Sequence, residues 1–227
     1  QIWILTDSAR IAEITQTFDA MKALYIADGH HRSAAASRVA AARHQQGRES
    51  SADYFLSVIF PHHQMKILDY NRVVKDLNGL EELALVTRLA AAFTVEDSAG
   101  RAHPSRPGEF GMYLAGSWRR LRIKPELIPE DPVARLDVSL LSHHVLAPLL
   151  GIADLRRDKR IDFVGGIRGL AELERRVDSG EMAVAFALHP TSMDQLMAVA
   201  DSNEVMPPKS TWFEPKLADG LVSNVLD

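Results

Sequence analysis

Residues 23–43, with the sequence ALYIADGHHRSAAASRVAAAR, constrain the fold more than any other stretch of this chain. A short apolar run at residues 24–27 stops at Asp28 and Gly29, and alanine-rich sequence made of good helix formers follows. This order predicts a buried strand, a tight turn and a helix. The side chains of His30, His31 and Arg32 then fall in the first turn of that helix.

Cationic side chains at a helix start oppose the helix dipole, whose positive end is already there. An anion is the natural partner, because free backbone N–H groups, a glycine that allows close approach and an arginine fork together suit a phosphate group. In the alternative interpretation Asp28 caps the helix, Gly29 serves the turn and the histidines are solvated. A carboxylate beside phosphate also repels it, so a phosphate site here implies either Mg²⁺ held by Asp28 or a protonated histidine.

The second informative stretch is residues 201–217, DSNEVMPPKSTWFEPKL. Two prolines stiffen the chain before Lys209, Ser210 and Thr211, and a lysine followed by hydroxyls is the side-chain half of a P-loop without its glycine-rich backbone half. We expect these side chains to supplement the phosphate site at the helix start. The alternative is an ordered tail in which Trp212 and Phe213 pack on the core while Lys209 is solvated.

Two sequence signatures resemble those of known families. YIADGHHRSAA resembles the motif of the ParB/sulfiredoxin-like superfamily, in which a strand, a glycine turn and a basic helix start hold nucleotide phosphates. The pair YIADGHHR and MPPKSTWFEPKL more closely resembles the bacterial and archaeal family known as domain of unknown function ten-fifteen, to which free-serine kinases are distantly similar. Members are longer at the N-terminus, and this chain starts at Gln1 with an apolar run, so we expect it to be a C-terminal fragment.

The resemblance and the residue set together predict a nucleotide-dependent phosphotransferase that acts on a small polar metabolite. Serine is named as the acceptor solely because that family is distantly similar to free-serine kinases. Six residues would hold the phosphates of ATP or ADP: Gly29, His30, His31, Arg32, Arg72 and Lys209. Lys209 would also neutralise the charge that develops during transfer. Asp28 would position Mg²⁺ with Ser210 or Thr211. His31 is one candidate general base, and an acidic residue in the absent part is the other.

For Arg72 a second interpretation is equally open, in which it is a solvated or ion-paired surface arginine with no role in phosphate binding. Family members often have histidine before this arginine, whereas this chain has Asn71, which weakens a proton-transfer role there. For the whole protein two alternative functions remain. One is a non-catalytic module that binds nucleotide as a regulatory ligand, and the other is a metal-dependent hydrolase or nuclease that uses the histidine-rich turns.

Composition excludes several classes of protein. The 227 residues are 46% hydrophobic and 25% charged, with a formal net charge of −4, so no broad basic field is available for nucleic acid. The absence of cysteine excludes disulfides, thiolate catalysis and cysteine-ligated metals. No apolar run approaches the roughly 20 residues that span a bilayer. A cytoplasmic location fits these properties, and the oligomeric state is left open.

Alternating helical and strand patterns predict an α/β fold, of mixed α+β type, with a mixed sheet and flanking helices. We expect a ParB/sulfiredoxin-like portion at residues 1–95 and a second α+β portion at residues 96–227, whose segment 201–217 returns to the site. Strands are predicted at residues 2–6, 24–27, 54–60, 65–74, 110–115, 118–124, 161–164 and 182–188. Helices are predicted from residue 7 or 8, over the alanine-rich stretch, at residues 80–93, 137–150 and 192–200, and after Gly165–Gly166 with Leu170, Leu173 and Val177 on one face.

Overall fold

The computed structural model describes residues 2–44, 51–216 and 220–225, and the chain forms two compact units. The N-terminal unit comprises Gln1–Leu56 with Asn224–Asp227, and the sheet unit comprises Ser57–Ser223. The sequence predicts a division after residue 95, whereas the compact units divide after residue 56. Residues 57–95 supply strands and a helix to the sheet unit, and the assignment of functions to the two predicted portions stays a prediction.

The N-terminal unit contains two helices, α1 (Ser8–Asp19) and α2 (His30–His44). Asp7 caps α1, since its carboxylate accepts the backbone N–H of Arg10 at 2.8 Å. Both helices confirm the sequence prediction, and α2 begins directly after the Asp28–Gly29 turn.

The strand predictions at residues 2–6, 24–27 and 54–60 are wrong, because these segments form no strand. Their apolar side chains are largely exposed: Trp3 is 80% and Tyr54 77% accessible. A short apolar run has the composition of a buried strand, but a strand exists only where a neighbouring backbone completes its hydrogen bonds. The sequence pattern contains no information about that neighbour.

The sheet unit is built on six strands in the order β3-β5-β4-β7-β2-β6, with a separate two-stranded pair, β1 and β8. Every pairing between described strands is antiparallel, so the fold is a mixed α and β fold as predicted, while the parallel pairings of a mixed sheet are not found among them. The strands are β1 (Lys66–Leu68), β2 (Tyr70–Val74), β3 (Phe93–Ser98), β4 (Glu109–Leu114), β5 (Ser117–Ile123), β6 (Ile161–Gly165), β7 (Val184–Leu188) and β8 (Trp212–Glu214).

Four further helices flank this sheet: α3 (Glu82–Leu89), α4 (Asp137–Leu141), α5 (Gly169–Asp178) and α6 (Met193–Asp201). α4 continues into a π-helical segment, Ser142–Leu146. The larger core covers one sheet face with side chains such as Val74, Phe186 and Leu141, and a smaller core covers the other face with Val73 and Leu173. No helix in the described ranges has the length and apolar character needed to cross a bilayer.

Candidate functional site

The residues that the sequence proposes for phosphate and metal binding belong to both units. Residues 28–32 lie in the N-terminal unit, whereas Arg72 and residues 209–211 lie in the sheet unit. Each set is therefore described by itself. That the two sets hold one ligand stays a prediction.

In the N-terminal unit, the start of α2 depends on Gly29. This residue has a φ of +86°, which L-amino acids with side chains rarely adopt, and a Cβ placed on it would lie 3.3 Å from Nη2 of Arg32. The backbone N–H of Gly29 donates to Oδ1 of Asp28 at 2.8 Å, and Ser33 N–H donates to the Gly29 carbonyl at 2.9 Å. His30, His31 and Arg32 are exposed in the first helical turn. The Asp28 carboxylate thus binds the N–H next to it.

In the sheet unit, Arg72 lies in β2 and has no exposed surface, so the interpretation of a solvated or ion-paired arginine is wrong. Its Nη1 donates to the backbone carbonyl of Tyr70. Nε and Nη2 are buried without a hydrogen-bond partner among the described residues. Burial lowers the pKa of Arg72 to about 9, with a smaller opposing effect from Tyr70. The guanidinium is therefore a buried cation with no carboxylate among those residues to balance it.

Two aromatic rings lie beside this guanidinium, and a lysine and a tryptophan contact one of those rings. Its carbon lies 4.9 Å from the ring centre of Phe163 and 5.9 Å from that of Tyr70. Lys209 places its Nζ 5.7 Å from the Tyr70 ring centre, and the Trp212 ring contacts Tyr70 edge to face at 5.6 Å. We call these five residues, Tyr70, Arg72, Phe163, Lys209 and Trp212, the Arg72 cluster. It contains two cations, and cation–π contacts to the rings offset only part of the cost of burying one of them.

The unpaired nitrogens of Arg72 define what it can bind. The N–H bonds of Nε and Nη2 point to the same side of the planar guanidinium, and this pair forms the fork that binds two oxygens of a phosphate or carboxylate. Nη1, on the other side, is already used by the Tyr70 carbonyl. The geometry therefore leaves a two-pronged edge that is buried and has no hydrogen-bond partner among the described residues.

The loop before β8, which contains Pro207 and Pro208, is held in place by hydrogen bonds of Ser210. Ser210 is buried; its hydroxyl donates to the Pro207 carbonyl at 2.7 Å, and its carbonyl accepts from the Thr191 hydroxyl at 3.1 Å. Lys209, directly before Ser210, has a φ of +56° and an exposed side chain. The Lys209 side chain is therefore exposed, whereas the Ser210 hydroxyl donates its hydrogen bond within the loop. Phe213 is 3% exposed and Lys209 is exposed, as the alternative of an ordered tail predicts, whereas Trp212 is only half-buried.

Sequence reasoning missed the end of the sheet that carries this cluster. Asn71 is fully buried and connects two elements, because its Nδ2 donates to Asp69 Oδ2 at 2.6 Å and its Oδ1 accepts the Leu188 N–H at 2.9 Å. A Cβ on Gly166 would lie 2.0 Å from Asp69 Oδ1, and one on Gly165 would lie 2.7 Å from the Trp212 ring. The Gly165–Gly166 pair is a sequence signal for this end of the sheet, because only glycine leaves room for such close approach.

Replacing Gly165 with alanine should displace Trp212 and with it the loop that carries Lys209. The added Cβ meets the indole at three atoms between 2.7 and 3.2 Å. We expect a destabilisation of about 1–3 kcal/mol from overpacking, and a shift in tryptophan emission. Gly100→Ala is the matched control, because nothing lies within 4 Å of a Cβ placed on Gly100. Equal emission spectra for both variants would contradict this account of how Trp212 is seated.

Metal binding by protein side chains alone finds no support in the described ranges, where no three His, Cys, Asp or Glu residues gather as a metal site. Mg²⁺ commonly takes only one or two carboxylates and completes its shell with phosphate oxygens and water. The assignment of Asp28 to Mg²⁺ thus depends on a bound nucleotide and stays a prediction.

Three solved structures illustrate what the chain is similar to. Free serine kinase in complex with AMP matches with a TM-score of 0.43 at 15% identity, over 69% of this chain and 58% of that chain. A mutant of free serine kinase in complex with ADP matches with a TM-score of 0.41 at 16% identity, over the same shares. A conserved hypothetical protein from Pyrococcus furiosus matches with a TM-score of 0.44 at 16% identity, over 82% of this chain and 68% of that chain. These values are too low to transfer any residue role.

The chain therefore spans 58% of the length of the free serine kinases that it resembles. A search of curated proteins finds no match to it. The profile of one family does match, over residues 1–139, which include the YIADGHHR signature and end before MPPKSTWF. Because this match covers more than half of its residues, the chain belongs to the family described as Protein of unknown function (DUF1015).

Proposed function

We propose that this protein is a nucleotide-dependent phosphotransferase, a kinase of a small polar metabolite. The observation that carries the proposal is the buried Arg72 guanidinium, whose Nε and Nη2 have no partner among the described residues. A buried charge without a partner is strongly unfavourable, and phosphate supplies both the opposite charge and the two acceptor oxygens that the fork needs. Lys209, over the neighbouring Tyr70 ring, adds a second positive charge.

The roles follow from this chemistry. Arg72 binds two phosphate oxygens, and Lys209 neutralises charge on the transferred group. The half-buried rings of Tyr70 and Phe163 lie over the guanidinium, so binding is accompanied by their movement. A hydroxyl oxygen of the metabolite attacks the terminal phosphorus of ATP or ADP, the bond to the bridging oxygen breaks, and the hydroxyl proton passes to a base. Phosphoryl transfer needs mainly such positioning and charge neutralisation from the protein.

The start of α2 is the second phosphate-binding element in the proposal. In this proposal the backbone N–H groups of His30 and His31 and the Arg32 guanidinium donate to phosphate oxygens, and the Gly29 N–H exchanges Asp28 Oδ1 for a phosphate oxygen. At this helix start Asp28 would hold Mg²⁺, and His31 would act as the base. Serine as the acceptor remains one candidate among small hydroxyl-bearing metabolites.

The first experiment measures the thermal stability of the chain with AMP, ADP or ATP, each with Mg²⁺. A nucleotide at 100 times its dissociation constant stabilises the folded state by about 2.7 kcal/mol, which is a shift of several degrees. Lys209→Ala should weaken this binding about tenfold, whereas Lys159→Ala, an exposed lysine of the same unit, should not. No shift with any nucleotide contradicts the proposal.

Turnover separates a kinase from a regulatory nucleotide-binding module. With ATP or ADP, Mg²⁺ and a mixture of hydroxyl-bearing metabolites, ³¹P NMR should show a new phosphomonoester and loss of the terminal phosphate. Binding without that product would favour the regulatory module. A double-mutant cycle with Arg32→Ala and Lys209→Ala, whose single variants keep measurable binding, then tests whether one nucleotide contacts both elements: coupling of at least about 0.5 kcal/mol indicates one shared ligand, and additivity indicates two sites.

A further inference from the structure

A cleft in the sheet unit, away from the Arg72 cluster, has the size of a small-ligand site. It has a volume of about 380 Å³, and its lining comes from three segments: the turn before β4, residues 128–140 including α4, and the first half of α6. Ligand pockets in proteins usually measure about 300–1,000 Å³. The apolar part of its wall includes Ile128, Pro132 and Leu140.

Asp137 is the unusual residue of this cleft. Its side chain is buried, with 8% of the residue exposed, and Oδ1 accepts the backbone N–H of Gly108 at 2.8 Å. Oδ2 is buried and makes no hydrogen bond with any residue that the structure describes. Burial raises the pKa of Asp137 to about 7, and the Gly108 hydrogen bond opposes that rise only in part. Buried polar atoms are nearly always paired, so this oxygen requires an explanation.

The charges around the cleft indicate the class of ligand. Asp137 and Asp194 line it together with one cation, Arg135. With Asp137 ionised, two carboxylates against one guanidinium leave the cleft negative, which repels anions and attracts cations. An ammonium group carries only donors, and it supplies both the charge and the hydrogen bond that Oδ2 lacks.

We propose that this cleft binds a small molecule that carries a primary ammonium group on a short apolar body, with the ammonium at Asp137 and the body against Ile128 and Leu140. Because Oδ2 is buried, the ammonium must be unhindered and the wall of the cleft beside Asp137 must shift to admit it. The proposal is independent of phosphate binding at Arg72, since the two sites share no residue.

The test uses three probes of similar size with the full chain at pH 8: n-butylammonium chloride, butan-1-ol and sodium butyrate. Two-dimensional NMR of the labelled chain should show saturable shifts at residues around the cleft with butylammonium, and binding at least tenfold weaker with the alcohol and the carboxylate. Asp137→Asn should weaken butylammonium binding at least tenfold, Asp194→Asn two- to threefold, and Arg72→Met not at all. Well-dispersed spectra will show that each variant is folded.

Two outcomes overturn the proposal. If butan-1-ol binds as tightly as butylammonium, the cleft selects a neutral hydrogen-bond donor. If Asp137→Asn leaves the amine affinity unchanged, the amine binds elsewhere. A second readout is reciprocal: because the amine binds ionised Asp137, saturating butylammonium should lower the pKa of that carboxyl in a ¹³C titration. Arg135 and Asp194 are the other charged groups lining the cleft, and the same titration in Asp194→Asn excludes the latter as the source of the shift.

Discussion

Replacing Arg72 with methionine is expected to stabilise the ligand-free protein and, in the same variant, to abolish its stabilisation by ADP. The lowering of the Arg72 pKa from 12.5 to about 9 reflects the unfavourable burial of its charge. At about 1.36 kcal/mol per pKa unit, that burial costs several kcal/mol. Methionine fills a similar volume without the charge. We expect the free energy of unfolding to rise by about 2–4 kcal/mol.

Arg176 provides the matched control for this experiment. It is also buried, with 9% exposed, but its Nη1 donates to Asp162 at 2.7 Å and its Nε donates to Glu181 at 3.0 Å. Arg176→Met removes those bonds and should destabilise the protein by about 1–3 kcal/mol. The two buried arginines thus differ in the sign of the effect, because only one of them has its anions within the described chain.

Urea unfolding followed by fluorescence measures both variants. In a Trp3→Phe background the remaining tryptophans, Trp118 and Trp212, both belong to the sheet unit, so the signal reports that unit. If Arg72→Met destabilises the protein as Arg176→Met does, Arg72 is a structural residue. If instead Arg72→Met keeps the full response to ADP, the Arg72 cluster is not the phosphate site.

Replacing Asp137 with asparagine is expected to remove a pH dependence of stability. The folded-state pKa of Asp137 is raised from 3.8 to about 7, so its contribution is fully present below about pH 4 and is lost as the pH rises through 7. The loss amounts to about 4 kcal/mol over this window. Asparagine keeps the acceptor for Gly108 but leaves an amide donor unpaired at a cost of about 1–2 kcal/mol.

The net expectation for Asp137→Asn is therefore a gain of about 2–3 kcal/mol at pH 8 and a loss of about 1–2 kcal/mol at pH 4. Urea unfolding at both pH values, in the same Trp3→Phe background, measures the difference. Asp194→Asn, an exposed carboxylate of the same cleft, should change stability by less than about 0.5 kcal/mol at either pH. A pH profile of Asp137→Asn that is parallel to that of the parent would show that this carboxyl is ionised in the fold without penalty.

Local sequence predicted the elements that depend on local chemistry. The capped helix α1 and the glycine-started helix α2 follow from Asp7, Gly29 and helix-forming composition. The β4–β5 hairpin follows from its turn, where Ala115 and Gly116 both have positive φ. The family could also be recognised from sequence, and the profile match over residues 1–139 confirms it.

The candidate site was predictable only in part. Lys209 and Arg72 were named from sequence, and the structure places both beside Tyr70. The burial of Arg72 and its unpaired fork were not predictable, because the YNRVV pattern does not say which neighbours cover the middle of a strand. The unpaired oxygen of Asp137 was not predictable either, because an aspartate at a helix start normally caps the helix.

The sequence by itself determined which backbone segments are helical, where turns interrupt them and which residue types are available for phosphate chemistry, because these depend on neighbours along the chain. Tertiary structure alone decided which apolar runs became strands, that the described strands pair antiparallel, and which charged side chains are buried away from solvent. Pairing and desolvation are set by residues far away in sequence: β2 lies between β6 and β7, more than eighty residues later in the chain, and it is these neighbours that bury Arg72 in the sheet.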